Sequence, residues 1–298
     1  MSLRTLLLLV AGLPLLLLGG AAALGQRIVL PELGREYVLR FALGDGPDAA
    51  PLVLPEVAGP DDPARPLVVI DAGHGGRDPG AIGEDEDGRR FAEKDITLAL
   101  ARALRDELLA IGTIRVALTR EDDRILALAD RPEIARQLGA SLFISIHADS
   151  AGERNAVGGA SVYTLSNEAS SEAAERFAAR ENNADRVNGL IVAGQSEVVS
   201  TILVELSQQR TQEDAARFAA LVLREGEGVL PFVAQPRRAA ALAVLRAPDV
   251  PSVLFESGFV TNDADRARLT TPAGRKAYSQ VLARAIRVYL ARQGQDEG

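Results

Sequence analysis

Residues 66–83 read PLVVIDAGHGGRDPGAIG. Leu67 to Asp71 is a short, nearly continuous apolar run bounded by Pro66 and a glycine-rich turn, which is how a strand buried on both faces reads. A helix follows. In Glu93–Leu109, residues Ile96, Leu100, Ala103, Leu104 and Leu108 share one face at helical spacing. The alternation continues with a strand over Thr113–Leu118 and a helix over Leu126–Leu138 that Pro132 interrupts early. Further strands are expected over Leu142–Ile146, Ala160–Leu165 and Val253–Phe255, and a final helix over Ala273–Ala291. Such a pattern predicts an α/β fold, an open and largely parallel twisted sheet with helices on both faces. Right-handed crossovers would then bring several strand ends to one edge.

Two regions depart from that rhythm. Residues 171–224 are rich in Ala, Glu and Arg, with helical runs over Glu172–Ala184 and Glu197–Gln209 divided by a break at Asn188–Gly194. On pattern alone they read as surface crossover helices inserted between two strands. Residues 26–66 hold one strand-like stretch, Glu36–Phe41, and a Pro/Gly/Asp-rich tract from Gly44 to Pro66 that reads as a linker.

Ahead of them, residues 1–25 have the layout of a secretory leader. Arg4 precedes an apolar run from Thr5 to Leu18, and Ala21–Ala23 offers a small-residue cleavage site. An uncleaved anchor is the alternative. There is no twin-arginine pair, so a general secretory route is expected, with no stable membrane association beyond this segment. The expected organisation is a leader over 1–25, a short segment and linker over 26–66, a catalytic domain over 67–293 and a tail over 294–298.

The formal net charge is −8 and the pI about 5.0, which argues against nucleic acid as a partner. Cysteine is absent, so neither disulfides nor thiol chemistry are in play.

The chain has two histidines, and both lie at the ends of expected strands: His74 in the glycine-rich turn and His147 in ASLFISIHADS, residues 140–150. A lone histidine in such a place is more often a hydrogen-bonded structural residue than a ligand. Two of them, delivered by different strands to the edge where α/β folds build their sites, suggest a metal. Glu93 is the natural third ligand. Glu256, closing VPSVLFESGFV (250–260), is a candidate general base. Zinc in a hydrolytic site takes three protein ligands and keeps a position for water, and His, Glu and His meet that count.

IDAGHGGRDPGAIG, EKDITLALA, LTREDD, FISIHADS and VPSVLFESGFVTN occur in this order, and together they resemble the zinc-dependent N-acetylmuramoyl-L-alanine amidases. More specifically, the chain resembles the periplasmic cell-division amidases, over roughly Leu67 to Ala291. The resemblance implies Zn2+ held by His74, Glu93 and His147, with Glu256 as catalytic acid/base. It implies hydrolysis of the amide between N-acetylmuramic acid and L-alanine of the peptidoglycan stem peptide, in wall remodelling and daughter-cell separation. It also implies autoinhibition, in which a helix of the 171–224 insertion covers the site until a protein activator displaces it. In RFAARENNADRVNG (176–189), Glu181 is then the carboxylate expected to reach the metal, with Asp185 second. The apolar residues Ile202, Leu203 and Leu206 are candidates for the activator's surface.

Other motif residues read as support. Gly73, Gly75 and Gly76 would permit the turn that presents His74. Asp71 and Asp149 could orient an imidazole by accepting its second N–H, or cap a turn. Arg120 and Asp123 could pair with each other. Ser145 and Ser257 lack a free histidine base if both histidines bind metal. Many members of the family carry an amino-terminal wall-targeting domain, and residues 26–66 read as too short to be one. Ala239 and Leu242 also stand where relatives usually carry Gln and Phe. Two other functions fit less of the pattern: a zinc carboxypeptidase-like enzyme acting on wall peptides, and a non-catalytic wall-binding regulator, against which Glu256 speaks.

Overall fold

The computed structural model describes residues 52–150, 156–189 and 201–296, without the side chains of 201–209 and 295–296. The leader, the Glu36–Phe41 stretch and the side chains of Ile202, Leu203 and Leu206 lie outside the described residues.

In chain order the elements are β1 (Leu67–Ala72), β2 (Ile82–Glu84), β3 (Arg90–Ala92), α1 (Glu93–Leu109), β4 (Arg115–Leu118), α2 (Asp130–Gln137), β5 (Leu142–Asp149) and β6 (Ala160–Leu165). There follow α3 (Glu172–Glu181), α4 (Ala184–Val187), α5 (Thr201–Gly226), β7 (Phe232–Ala240), a 3-10 turn (Ala243–Leu245), β8 (Ser252–Phe259), α6 (Asp263–Thr270) and α7 (Pro272–Asp296). Six strands form one sheet in the order β4-β1-β5-β8-β6-β7. The first four are parallel, β6 runs antiparallel to β8, and β7 runs parallel to β6.

The chain leaves β1 for β4 on one side and returns to β5 on the other. That reversal makes a topological switch point, and the crevice outside the carboxyl ends of β1 and β5 is where such a sheet accepts a ligand.

Strand alternation divides the core. Val68, Ile70, Ile144 and Phe255 face α1, α5 and α7, whereas Val69, Phe143 and Leu254 face α2, α3 and the 3-10 turn. Helix α1 has Ile96, Leu100, Leu104 and Leu108 buried in one stripe. Ala92 provides no side-chain cap. Instead the first-turn N–H groups of Glu93 and Lys94 donate to the carbonyls of Ala81 and Pro79. This meets the need of a helix start from a preceding loop and fixes Glu93 at the sheet's edge.

The structure corrects several expected boundaries. β4 starts at Arg115. α2 starts at Asp130, so Pro132 sits in its first turn, where a missing N–H costs nothing. β5 and β8 are longer than expected and contain His147 and Glu256 rather than ending before them. The hairpin of β2 and β3, helix α6 and edge strand β7 were not anticipated. β7 reads FVAQPRRAA, and its Pro236 and two arginines conceal a strand. Pro is tolerated there because the strand lies at the sheet edge and its register with β6 slips between Ala160 and Val162. Among the described residues, no helix is long and apolar enough to cross a membrane.

Candidate metal centre

His74 adopts φ 63°, the sole positive φ of a non-glycine among the described residues. Such a conformation persists only where the surroundings impose it. Here two buried arginines grip three consecutive carbonyls. Arg120 donates to Ala72 and Gly73, and Arg131 donates to Ala72 and His74, all at 2.9 Å. Thr97 Oγ1 adds a bond to the Gly73 carbonyl at 2.9 Å. A buried irregular segment needs partners for its backbone groups, and these side chains supply them. Burial, and then the neighbouring Arg131, bring the Arg120 pKa down to about 10.

The imidazoles converge from different elements. His74 Nδ1 lies 2.8 Å from Asp78 Oδ2. A carboxylate there accepts the Nδ1–H of a neutral imidazole and leaves the Nε2 lone pair for a ligand. His147 comes from β5, with its Nδ1 3.2 Å from Glu93 Oε1, and His74 Nε2 lies 3.1 Å from the same oxygen. Glu93 is itself held by the N–H groups of Ala148 and Ala81, each at 2.8 Å. One ligand atom from each of His74, Glu93 and His147 lies within 4.8 Å of the others, and all three residues are buried.

Glu256 pairs directly with His147 across β5 and β8, which puts both side chains on the same face of the sheet. The Asp149 N–H donates to Glu256 Oε2 at 2.9 Å. Two buried atoms of this cluster, His74 Nε2 and Glu256 Oε1, have no hydrogen-bond partner. An orphaned imidazole nitrogen beside two further nitrogen and oxygen donors suits a cation, and this donor set suits zinc.

The electrostatics are strong because the cluster is buried. Burial would lower the His74 pKa, but Glu93, Asp78 and Glu181 outweigh it and hold the pKa well above the ordinary value. Burial would raise Glu93, but the two imidazoles hold it well below the usual carboxylate range. Glu256 is pushed well above that range by burial and then by the charges of Asp149, Glu93 and Glu181.

Helix α3 covers this centre. Ser171 caps it by accepting the Ala174 N–H, and Phe177 stacks on Tyr163 of β6 with ring centroids 4.5 Å apart. At its last residue, Glu181 Oε2 comes within 3.3 Å of His147 Nδ1 and 3.5 Å of His74 Nε2. Asp185 does not join it. Its carboxylate accepts the Leu128 N–H at 2.8 Å, on the wall of the same cleft.

The supporting residues are arranged differently from the sequence expectation. Asp71 touches no imidazole; it binds Thr119, Ser145 and Arg131 and so anchors the arginine that grips the His74 turn. Asp149 pairs with Arg180 of the covering helix. Burial raises its pKa to about 6 against the pull of Arg180. Asp123 pairs with Lys94 and the Gly76 N–H rather than with Arg120. Gly75 has the positive φ expected of a turn glycine (130°). Gly73 does not; a Cβ there would lie 2.5 Å from the His147 ring, so it serves close approach. The hydroxyls of Ser145 and Ser257 donate to Asp71 and to the His147 carbonyl. Asp78, Arg131 and Arg180 were missed. Only Asp78 left a signal, an acidic residue four positions after His74 in the same turn.

The N-acetylmuramoyl-L-alanine amidase family model matches residues 68–288. The chain is 38% identical to N-acetylmuramoyl-L-alanine amidase AmiA of Escherichia coli over 75% of its length and 76% of the relative's. It is 36% identical to AmiC of Neisseria meningitidis over 76% of its length and 53% of the relative's. Among solved structures, N-acetylmuramoyl-L-alanine amidase AmiC2 of Nostoc punctiforme superposes with a TM-score of 0.53 at 28% identity, covering 76% of this chain and 97% of that one.

Proposed function

The chain belongs to the N-acetylmuramoyl-L-alanine amidases, and on that premise we propose that it is a zinc-dependent, autoinhibited enzyme of the periplasm that acts in daughter-cell separation. Its reaction is hydrolysis of the amide between N-acetylmuramic acid and L-alanine in peptidoglycan. His74, Glu93 and His147 would hold the metal. Zinc held there would supply Lewis acidity for the scissile carbonyl and would make a water more acidic. Glu256 takes the proton from that water and hands it to the departing amine, which an amide needs because its leaving group is poor. The observation that carries this reading is the buried His–Glu–His group with Glu256 in register beside His147.

Glu181 is the inhibitory contact in this reading. Its carboxylate lies against both imidazoles, where it would compete with water and substrate. A protein activator binding the 171–224 insertion would withdraw it. The exported form would begin after the leader, with catalysis confined to 67–293.

The test is mass spectrometry of products from purified sacculi treated with the mature protein and with Glu181→Ala. Free stem peptides and peptide-free glycan, released mainly by the variant, are expected. Stoichiometric zinc with no release from either protein would overturn the assignment.

A further inference from the structure

Segment 176–189 grips the rim of the cleft through three side chains at three-residue spacing. Asn188 accepts the Asp78 N–H, Asp185 accepts the Leu128 N–H, and Asn182 makes two bonds at once. The Asn182 Nδ2 donates to the Ala241 carbonyl at 2.9 Å, and its Oδ1 accepts the Ala243 N–H at 2.8 Å. These rim groups flank Leu242, which is extended (φ −83°, ψ 120°) and follows edge strand β7 after a tight turn in which its N–H donates to the Ala240 carbonyl.

A carbonyl and an N–H on residues two apart are what a parallel strand presents to one residue of a strand added beside it. Asn182 thus binds the rim as a residue of an added strand would. It also lines the same cleft as His74, His147 and Glu181.

We propose that the Ala241 carbonyl and Ala243 N–H are the docking groups for the backbone of the stem peptide, and that the covering segment is a pseudosubstrate. Asn182 takes the peptide's two hydrogen bonds while Glu181 takes the catalytic centre. Opening the segment then uncovers the peptide's binding groups and the reactive centre in one movement. The identity of the peptide rests on the amidase reading.

Ala243 is the first residue of the 3-10 turn and follows an extended residue. Proline is accepted in that setting, so Ala243→Pro deletes the donor with little other change. The proteins to compare are the zinc-loaded mature chain, Asn182→Ala, and Asn182→Ala/Ala243→Pro. In the Asn182→Ala background the covering segment has already lost this contact, so the proline reports on the ligand alone. The probe is a synthetic stem tripeptide beginning with L-alanine, titrated by calorimetry, alongside kcat and KM on a soluble muramoyl peptide.

Asn182→Ala should bind the tripeptide severalfold more tightly than the parent. Adding Ala243→Pro should weaken Kd and raise KM by about five- to tenfold, the net worth of one hydrogen bond, with kcat unchanged. An unchanged Kd, or no binding to any of the three, overturns the proposal. Should the proline variant fold poorly, the Ala243 amide resonance of 15N-labelled Asn182→Ala decides: a shift on adding tripeptide supports the proposal, and none overturns it. If none of the proteins cleaves the muramoyl peptide even with Glu181→Ala added, while the Kd difference persists, the amidase reading fails and the peptide site stands.

Discussion

Gly73 has no room for a side chain, because a Cβ would meet Cε1 and Nε2 of His147 at 2.5 Å. Gly73→Ala must therefore displace an imidazole of the candidate centre. It is expected to lower zinc affinity by at least about tenfold, the effect of a disturbed metal-site partner, read by competition with a chromogenic chelator. Gly112 is a contrast: its φ is 76° but nothing lies within 4 Å of an added Cβ. Gly112→Ala should cost stability by about 1 kcal/mol and leave zinc untouched. Glu256→Gln preserves shape but cannot take a proton, so cleavage should vanish while zinc remains stoichiometric; retained turnover would remove Glu256 from its role. At this scale, His74, Glu93, His147 and Glu256 were legible because each closes or opens a recognisable run. Arg131 was not, since nothing in a helix-start sequence says that its guanidinium reaches back across 57 residues to the His74 carbonyl.

The insertion that the sequence presents as one helical excursion is two things in space. Helix α3 lies over the candidate centre, whereas α5 carries Phe218 and Val222 into the core against α7. Two phenylalanines of this stretch should thus differ in one readout. Phe177→Ala removes the stack on Tyr163 and a buried side chain beneath the covering helix, and it is expected to raise activity without an activator and to speed proteolysis within 176–189. Phe218→Ala should destabilise the whole domain by about 3–5 kcal/mol, read by urea unfolding. The division was hidden because both helices are amphipathic and only the sheet face each one meets tells them apart. Strand β7 was hidden for the opposite reason: an edge strand has no need of an apolar run.

For the whole molecule, the buried Asp71–Arg131 pair ties the sheet to the loop that carries His74. Burial raises the Asp71 pKa, but Arg131, Thr119 and Ser145 prevail and bring it below its ordinary 3.8. The native state then binds this proton more weakly than the unfolded chain does. The stability so gained is present above the ordinary value and is lost as pH falls through the lowered one. Urea midpoints should drop from pH 5 downward, and the drop should be shallower in Asp71→Asn. At neutral pH that variant leaves Arg131 unpaired in the interior and should cost about 3–5 kcal/mol.

The sequence by itself determined the alternating architecture and singled out His74, Glu93, His147 and Glu256 as candidates, because periodicity and short motifs are local properties of the chain. It also carried the family. Only the tertiary structure decided which carboxylate of the covering segment meets the imidazoles, Glu181 rather than Asp185. It likewise decided that Asp78, not Asp71, faces His74, and that Asn182 pairs with the rim beside β7. Those choices depend on how elements distant in sequence pack together, and side-chain contacts made across such distances leave no period in the chain to be read.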